Sequence, residues 1–289
     1  MNQVRLSRRE ALKAGLGAAA LAPLAAALHS EEAKIVRKNN LHQSVCRWCY
    51  EKVPLDQLAA FAAQVGLKGI DLLQPEEYEF PRRYGLICTM AYAGGGDIPN
   101  ALNRPENHAA IETAFRTNIP LAAKAGIPNV ITFSGNRRGM ADEEGARNTV
   151  AGLNRVKKIA EDNGVVICLE LLNSKHDHLD YMCDHTDWGV RVVEEVNSPH
   201  VKLLYDIYHM QIMEGDLIDT IRKNIAWIAH FHTGGVPGRH ELDNTQEVQW
   251  DGVMRGIVGA GFKGYVAHEF VPVHDPLTSL RAAVDLCDV

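Results

Sequence analysis

The stretch VVICLE (residues 165–170) combines a short apolar run with a carboxylate at its end, Glu170. The same design recurs in VKLLYD, WIAHFH and YVAHE, which end at Asp206, His232 and Glu269. Short, continuous apolar runs are typical of parallel strands that are buried on both faces. Because all strands of a parallel barrel end at one face, we expect the four side chains to converge there. Three carboxylates and one imidazole in a concave site indicate a divalent metal ion that is used for chemistry.

The spacing of these runs leaves room for a helix between successive strands. Positions 170, 206, 232 and 269 lie roughly 26 to 37 residues apart, and a crossover between parallel strands needs a dozen residues or more. Across the chain, helical stripes with apolar residues at intervals of three and four alternate with eight strand-like runs. These runs are 41–46, 69–73, 86–91, 130–133, 165–170, 201–206, 228–232 and 265–269.

Glycines punctuate the helix-to-strand joints in a repeated way. Gly66, Gly126, Gly164 and Gly261 each stand shortly before a predicted strand, where a left-handed residue can end a helix. Eight alternations with a repeated joint predict an α/β fold of the (β/α)8 TIM barrel type. A doubly wound sheet is the alternative, because strand order cannot be read from one sequence.

The first residues have the composition of an export signal. Arg8 and Arg9 precede a run of Ala, Leu and Gly that extends from residue 14 to 28. This run is too short to cross a bilayer core of about 30 Å as a helix. We expect residues 1–27 to be a twin-arginine signal peptide and residues 28–289 to be one barrel domain, with the mature protein in the periplasm or otherwise exported. The remaining length of about 260 residues is usual for one such barrel.

Charge and cysteine content exclude several other classes. The formal net charge is −6, and no basic stripe is available for phosphate contacts, so a nucleic-acid partner is not expected. No membrane contact is expected once the signal is removed. The sequence is compatible with a homo-oligomer. Of the six cysteines, Cys46 and Cys49 form a CxxC. No second CxxC completes a zinc site, so core thiols are favoured.

Four segments resemble a known family. ELLN at Glu170, DIYHMQIMEGD (206–216), GVPGRHE (235–241) and HEFVP (268–272) are similar to the hydroxypyruvate isomerase branch of the xylose-isomerase-like TIM barrels, which also contain ketose 3-epimerases. The resemblance runs from about residue 40 to the end, and DIYHMQ and PGRHE are its specific parts. It implies one divalent metal held by Glu170, Asp206, His232 and Glu269, with the two glutamates also moving protons. It further implies that His209 and Arg239 hold substrate oxygens.

Two departures from this family leave the substrate open. Hydroxypyruvate isomerases usually have Gln where this chain has His232, whereas ketose 3-epimerases have His. His176 lies near the place where the epimerases have another acid that binds substrate, and we treat it as a candidate for substrate binding. The alternative for the polar loop around it, which also holds Asp177, His178 and Asp180, is an ordinary solvated surface loop.

The expected reaction is isomerisation of a small α-hydroxy carbonyl compound, such as hydroxypyruvate to tartronate semialdehyde. A metal-stabilised enediolate would allow Glu170 and Glu269 to remove and return a proton. Return to the neighbouring carbon isomerises the substrate, and return to the opposite face of the same carbon epimerises it. Mn²⁺ or Mg²⁺ is the expected ion, with Co²⁺ and Zn²⁺ as alternatives because an imidazole broadens the range.

Three other functions are alternatives to this isomerase. A ketose 3-epimerase or another sugar epimerase is the first alternative. A non-catalytic exported protein that binds sugar is the second, but binding alone would not require the paired carboxylates of Glu170 and Glu269. A DNA-repair nuclease of the same barrel group would need more histidines at the ends of earlier strands, and the acidic charge also argues against it.

Overall fold

The computed structural model describes residues 37–289. The predicted twin-arginine signal at residues 1–27 lies outside the described residues. Within residues 37–289, no helix is long and apolar enough to cross a membrane.

The described chain forms one sheet of nine parallel strands, each short and mostly buried. The strands are β1 His42–Cys46, β2 Gly69–Asp71, β3 Ile87–Cys88, β4 Ala91–Gly95, β5 Asn129–Thr132, β6 Val166–Glu170, β7 Val201–Asp206, β8 Ile228–Thr233 and β9 Tyr265–His268. In space their order is β3-β2-β1-β9-β8-β7-β6-β5-β4. The first strand therefore pairs with the last, as a barrel requires and a doubly wound sheet does not.

The barrel closes between β2 and β4 through a short bridge. Leu73 forms an isolated parallel bridge with Ala91. The Tyr92 N–H donates to the carbonyl of Leu73 at 3.1 Å. The prediction of a TIM barrel is confirmed, with one difference: the single strand expected at 86–91 is interrupted. β3 pairs with β2 and β4 pairs with β5, so the chain changes partner between Cys88 and Ala91.

One glycine shows how closely the chains approach at this join. A Cβ on Gly69 would lie 2.4 Å from the carbonyl oxygen of Ile87 and 2.6 Å from Cγ2 of Thr89. Only glycine fits there without displacement of β3, because real Cβ contacts do not come so close. β2 and β3 can therefore pair tightly, which brings the Thr89 hydroxyl to Asp71 at the end of β2.

In the described part of the chain, eight α-helices surround the strands. They are α1 Leu55–Gln64, α2 His108–Lys124, α3 Asp142–Asn163, α4 Thr186–Val196, α5 Ile207–Met213, α6 Leu217–Asn224, α7 Trp250–Gly259 and α8 Pro276–Leu286. All four glycines predicted to end helices have positive φ, at Gly66, Gly126, Gly164 and Gly261. Their shared left-handed conformation turns the chain from each helix into the next strand.

The core lies between the strands and the helices, with a polar cluster inside the barrel. Val45, Ile70, Leu169 and Leu203 are fully buried, as expected for strands covered on both faces. All six cysteines are free, and five of them are buried. Burial raises the pKa of the Cys46 thiol well above its usual value, so this cysteine is a neutral core group, as the sequence indicated.

Candidate active site

The four strand-end side chains lie together at the carboxyl-terminal mouth of the barrel. Glu170 ends β6, Asp206 ends β7, His232 is the penultimate residue of β8, and Glu269 follows β9 directly. Each is at most 5% exposed. One ligand atom from each side chain lies within 4.8 Å of the others. The register aligns the strand ends, since Asp206 pairs with His232 and Thr233 with His268.

The residues of this cluster fit a divalent cation. His232 Nδ1 is buried and has no hydrogen-bond partner among the described residues, although it lies 2.7 Å from Glu269 Oε2 and 3.5 Å from Glu170 Oε1. Three carboxylates buried side by side are costly without positive charge to compensate them. Carboxylate oxygens and one imidazole nitrogen match the ligand preferences of Mn²⁺, Mg²⁺, Co²⁺ or Zn²⁺.

Arg239 contacts the same cluster. Its guanidinium group donates to Asp206 Oδ2 and to Glu269 Oε2, and it lies 2.9 Å from His209 Nε2. The group also stacks over the Tyr208 ring at 4.8 Å from the ring centroid. The family resemblance assigned Arg239 to a substrate oxygen; in the structure it pairs with two of the protein's own carboxylates and offsets their charge.

His209 is held as a neutral side chain at the start of α5. Asp206 caps this helix by accepting the backbone N–H of His209 at 3.2 Å. The Asn173 oxygen accepts backbone N–H groups of His176 and Asp177, each at 3.0 Å. The Asn173 amide nitrogen therefore faces His209 Nδ1, at 2.7 Å. Burial, together with the Arg239 charge, lowers the pKa of His209 well below its usual value.

His176 does not line the cavity. Its side chain is exposed, and the contact above is made by its backbone. The next two residues, Asp177 and His178, do line the cavity. Asp177 is fixed there because its Oδ2 accepts from the Tyr208 hydroxyl at 2.8 Å. Of the polar loop at 174–180, these two side chains are the ones placed to meet a ligand.

The cavity above the cluster has a volume of about 420 Å³. Glu170, His209, Arg239 and Glu269 form its polar part, whereas aromatic and aliphatic side chains form an apolar wall; these include Trp48, Tyr92, Phe133 and Leu172. A small ligand with polar groups at one end could bind against both surfaces.

Trp48 is a site residue that the sequence did not indicate. It lies in the short 3-10 helix Trp48–Tyr50 just after β1. Its indole Nε1 donates to Glu269 Oε1 at 2.6 Å. An aromatic residue two positions after a strand end was the available signal.

The two glutamates have different electrostatic surroundings. Burial, reinforced by the neighbouring Glu269 charge, raises the pKa of Glu170 to about 7. Burial also disfavours the charged form of Glu269, but the positive charges of His232 and Arg239 outweigh it and hold the pKa of Glu269 well below its usual value. Burial raises the pKa of Asp206 against the opposing effect of Arg239.

Comparison with known proteins places these features in a family. The family model described as "Xylose isomerase-like TIM barrel" matches residues 59–287. The chain is 29% identical to the 2-oxo-tetronate isomerase of Cupriavidus necator over 229 residues, which are 75% of this chain and 87% of that protein. It is 24% identical to the hydroxypyruvate isomerase of Escherichia coli over 242 residues, 78% of this chain and 92% of that protein.

A solved structure supports the same fold. A D-psicose 3-epimerase, crystallised in the presence of D-fructose, superposes with a TM-score of 0.65 and 19% identity. The match covers 85% of this chain and 90% of that one. At this level of identity the likeness shows the fold.

Proposed function

The chain belongs to the xylose isomerase-like TIM barrel family, and from this premise we propose that it is a metal-dependent isomerase of a small α-hydroxy carbonyl compound, acting as hydroxypyruvate isomerase does. Relatives that cover most of the chain are named isomerases of hydroxypyruvate and of 2-oxo-tetronate. The observation that carries the proposal is the pair of buried glutamates, Glu170 and Glu269, within one ligand cluster at the floor of a cavity.

The cluster would hold one divalent cation through Glu170, Asp206, His232 and Glu269. When bound, such an ion acts as a Lewis acid that offsets negative charge developing on a substrate oxygen. Mn²⁺ or Mg²⁺ suits the three carboxylates, and the imidazole admits Co²⁺ or Zn²⁺.

The proton transfers are assigned to the two glutamates. Glu170 and Glu269 both line the cavity, so one carboxylate can remove a proton next to the carbonyl group and the other can return one. Trp48 donates to one oxygen of Glu269 and so fixes the direction of its carboxylate.

His209 and Arg239 are assigned to the substrate oxygens. His209 Nδ1 faces the Asn173 amide nitrogen at 2.7 Å, and both His209 and Arg239 line the cavity. Arg239 carries a fixed fork of donors, and its NH1 already lies beside His209 Nε2 at 2.9 Å. A substrate oxygen that comes within hydrogen-bond distance of the guanidinium group would accept from it.

One observation favours a second candidate, a ketose 3-epimerase. His232 stands where hydroxypyruvate isomerases usually have Gln and ketose 3-epimerases have His. The same pair of glutamates would then return the proton to the opposite face of the same carbon. For both reactions we propose that the protein works outside the cytoplasm after twin-arginine export.

A substrate screen separates these outcomes. Metal-loaded protein is incubated in deuterated water with hydroxypyruvate, a 2-oxo-tetronate and ketohexoses, and the products are followed by NMR. An isomerase gives a product labelled at the original carbonyl carbon, which receives the new proton, whereas an epimerase gives the C3 epimer labelled at C3. Glu247→Gln, an exposed glutamate outside the cluster, serves as control and should retain parental rates. Absence of both product and exchange with every compound, from protein with one equivalent of metal, would refute an isomerase or epimerase of these substrate classes.

A further inference from the structure

Another buried carboxylate, Asp71, lies beside the cluster at the end of β2. Asp71 is fully buried, and both of its oxygens have partners. Oδ1 accepts from the hydroxyl groups of Ser44, at 2.8 Å, and Thr89. Oδ2 lies 2.5 Å from His230 Nε2 and 3.4 Å from His232 Nε2. Such a set of donors keeps the carboxylate fixed and able to act only as an acceptor.

The orientation of His230 supports this description. The Asn129 amide nitrogen donates to the carbonyl of Thr89 at 3.0 Å and lies 3.4 Å from His230 Nδ1. His230 Nδ1 therefore faces a donor and acts as an acceptor. The proton of the neutral ring then lies on Nε2, where it is donated to Asp71. His230 thus holds Asp71 from the side away from the cavity.

The two ring nitrogens of His232 face different surroundings. Nε2 faces Asp71 and, at 3.6 Å, the sulfur of Cys46. Nδ1 faces the carboxylates of Glu170 and Glu269. Because Asp71 can only accept, it favours a proton on Nε2, and this leaves the lone pair of Nδ1 for the cluster.

We propose that Asp71 is a positioning residue that keeps a proton on His232 Nε2 and so presents Nδ1 as a metal ligand. This inference rests on the proposed function, since it assumes that the cluster binds a divalent cation. A carboxylate behind a histidine ligand fixes the ring and increases its basicity, and loss of such a partner typically weakens metal binding by about 10- to 100-fold.

The first test is metal affinity, which does not depend on turnover. Asp71→Asn keeps the shape of the side chain but removes the charge that holds the Nε2 proton. We expect Mn²⁺ titration by calorimetry to show binding weaker by about 10- to 100-fold than in the parent. Thr89→Val is a matched control, because it removes a donor to the other oxygen, Oδ1, and should change affinity by less than about threefold. Cys46→Ala tests the other neighbour of Nε2 and should also leave affinity near the parental value.

These outcomes separate the inference from the proposed function. A parent that binds no divalent cation overturns the proposed function itself. If Asp71→Asn binds Mn²⁺ as tightly as the parent does, only the proposed role of Asp71 is overturned. Equal losses in Asp71→Asn and Thr89→Val would show a general loosening of the buried cluster and would also overturn it.

The second test reads the ring directly and needs no variant of Asp71 to fold. Nitrogen-15 NMR of histidine-labelled parent protein loaded with diamagnetic Mg²⁺ shows whether each ring nitrogen carries a proton, and comparison with His232→Gln assigns the signals. The proposal requires a protonated Nε2 on His232. A neutral ring with its proton on Nδ1 and a bare Nε2 would overturn it.

Discussion

At the scale of single residues, the candidate active site depends on buried carboxylates and on the side chains that hold them. Glu170, Asp206, His232 and Glu269 end apolar runs, and barrel geometry alone brings such positions together. Asp71 was not predicted, because the run 69–73 was expected to continue past it as an apolar strand. A charged residue within GIDLL was the signal, since a buried carboxylate requires partners. Those partners come from distant strands and only the fold identifies them.

The contact between Trp48 and Glu269 provides a test at this scale. Trp48→Phe keeps an aromatic ring in the cavity wall and removes the N–H that donates to Glu269 Oε1. A hydrogen bond to a charged group contributes about 1.5–3 kcal/mol, so we expect kcat/KM to fall by about 10- to 100-fold while metal content stays parental. Steady-state kinetics and metal analysis measure this. Trp227→Phe, which changes a tryptophan that packs against Lys202, is the control; an equal loss in both variants would contradict the role of Trp48.

At the scale of elements, the sequence predicted the strands, the helices and the joints between them. The main difference is the single strand predicted at 86–91, which the structure divides into β3 and β4. An apolar run cannot show a change of pairing partner, because both halves remain buried. The loops were less predictable for a related reason. His176 was a candidate from its position near an expected acid, but the hydrogen bonds of Asn173 turn Asp177 and His178 inward instead.

The loop between β6 and α4 gives a pH-dependent prediction. Asp184 accepts from Arg137 at 3.0 and 3.1 Å and from Ser174 at 2.6 Å. Burial opposes ionisation, but these hydrogen bonds lower the pKa of Asp184 below its usual value. Asp184→Asn should reduce the free energy of unfolding by about 1–3 kcal/mol at pH 7.

The sign of the pH dependence follows from linkage. Because the pKa of Asp184 is lower in the folded state, its ionisation stabilises the fold fully above the unfolded value of about 3.9. This contribution is lost as the pH falls below that value through the folded one. Urea unfolding of parent and Asp184→Asn, both without metal, should show a difference that is constant from pH 7 to 5 and smaller at pH 3. A difference that grows on acidification would contradict the assignment.

At the scale of the whole molecule, the barrel and the position of its active face were predictable from the sequence. Eight alternations and a length of about 260 residues match one TIM barrel, and the strand order confirms closure. The substrate was not predictable, since Gln or His at position 232 changes the expected reaction without changing the fold. Function therefore depends on the contents of the cavity and not on the architecture.

Export is tested on the full-length chain. Replacing Arg8 and Arg9 by Lys together should retain the protein in the cytoplasm, because the twin-arginine pair is the feature read by the export machinery. Cell fractionation followed by immunoblotting measures the distribution. Lys13→Arg, which keeps the charge of the same segment, is the control and should be exported as the parent is. Unchanged export of the double variant would exclude this pathway.

The central claim is that Glu170 and Glu269 combine metal binding with proton transfer in one cluster. The most direct test measures metal content and solvent-deuterium exchange together in the parent, Glu170→Gln and Glu269→Gln, on the substrate identified by the screen. An amide oxygen can still coordinate a cation, but an amide cannot accept the proton. We predict that both variants retain metal and lose exchange by about 10² to 10⁴-fold or more. Parental exchange in both metal-loaded variants would contradict the claim.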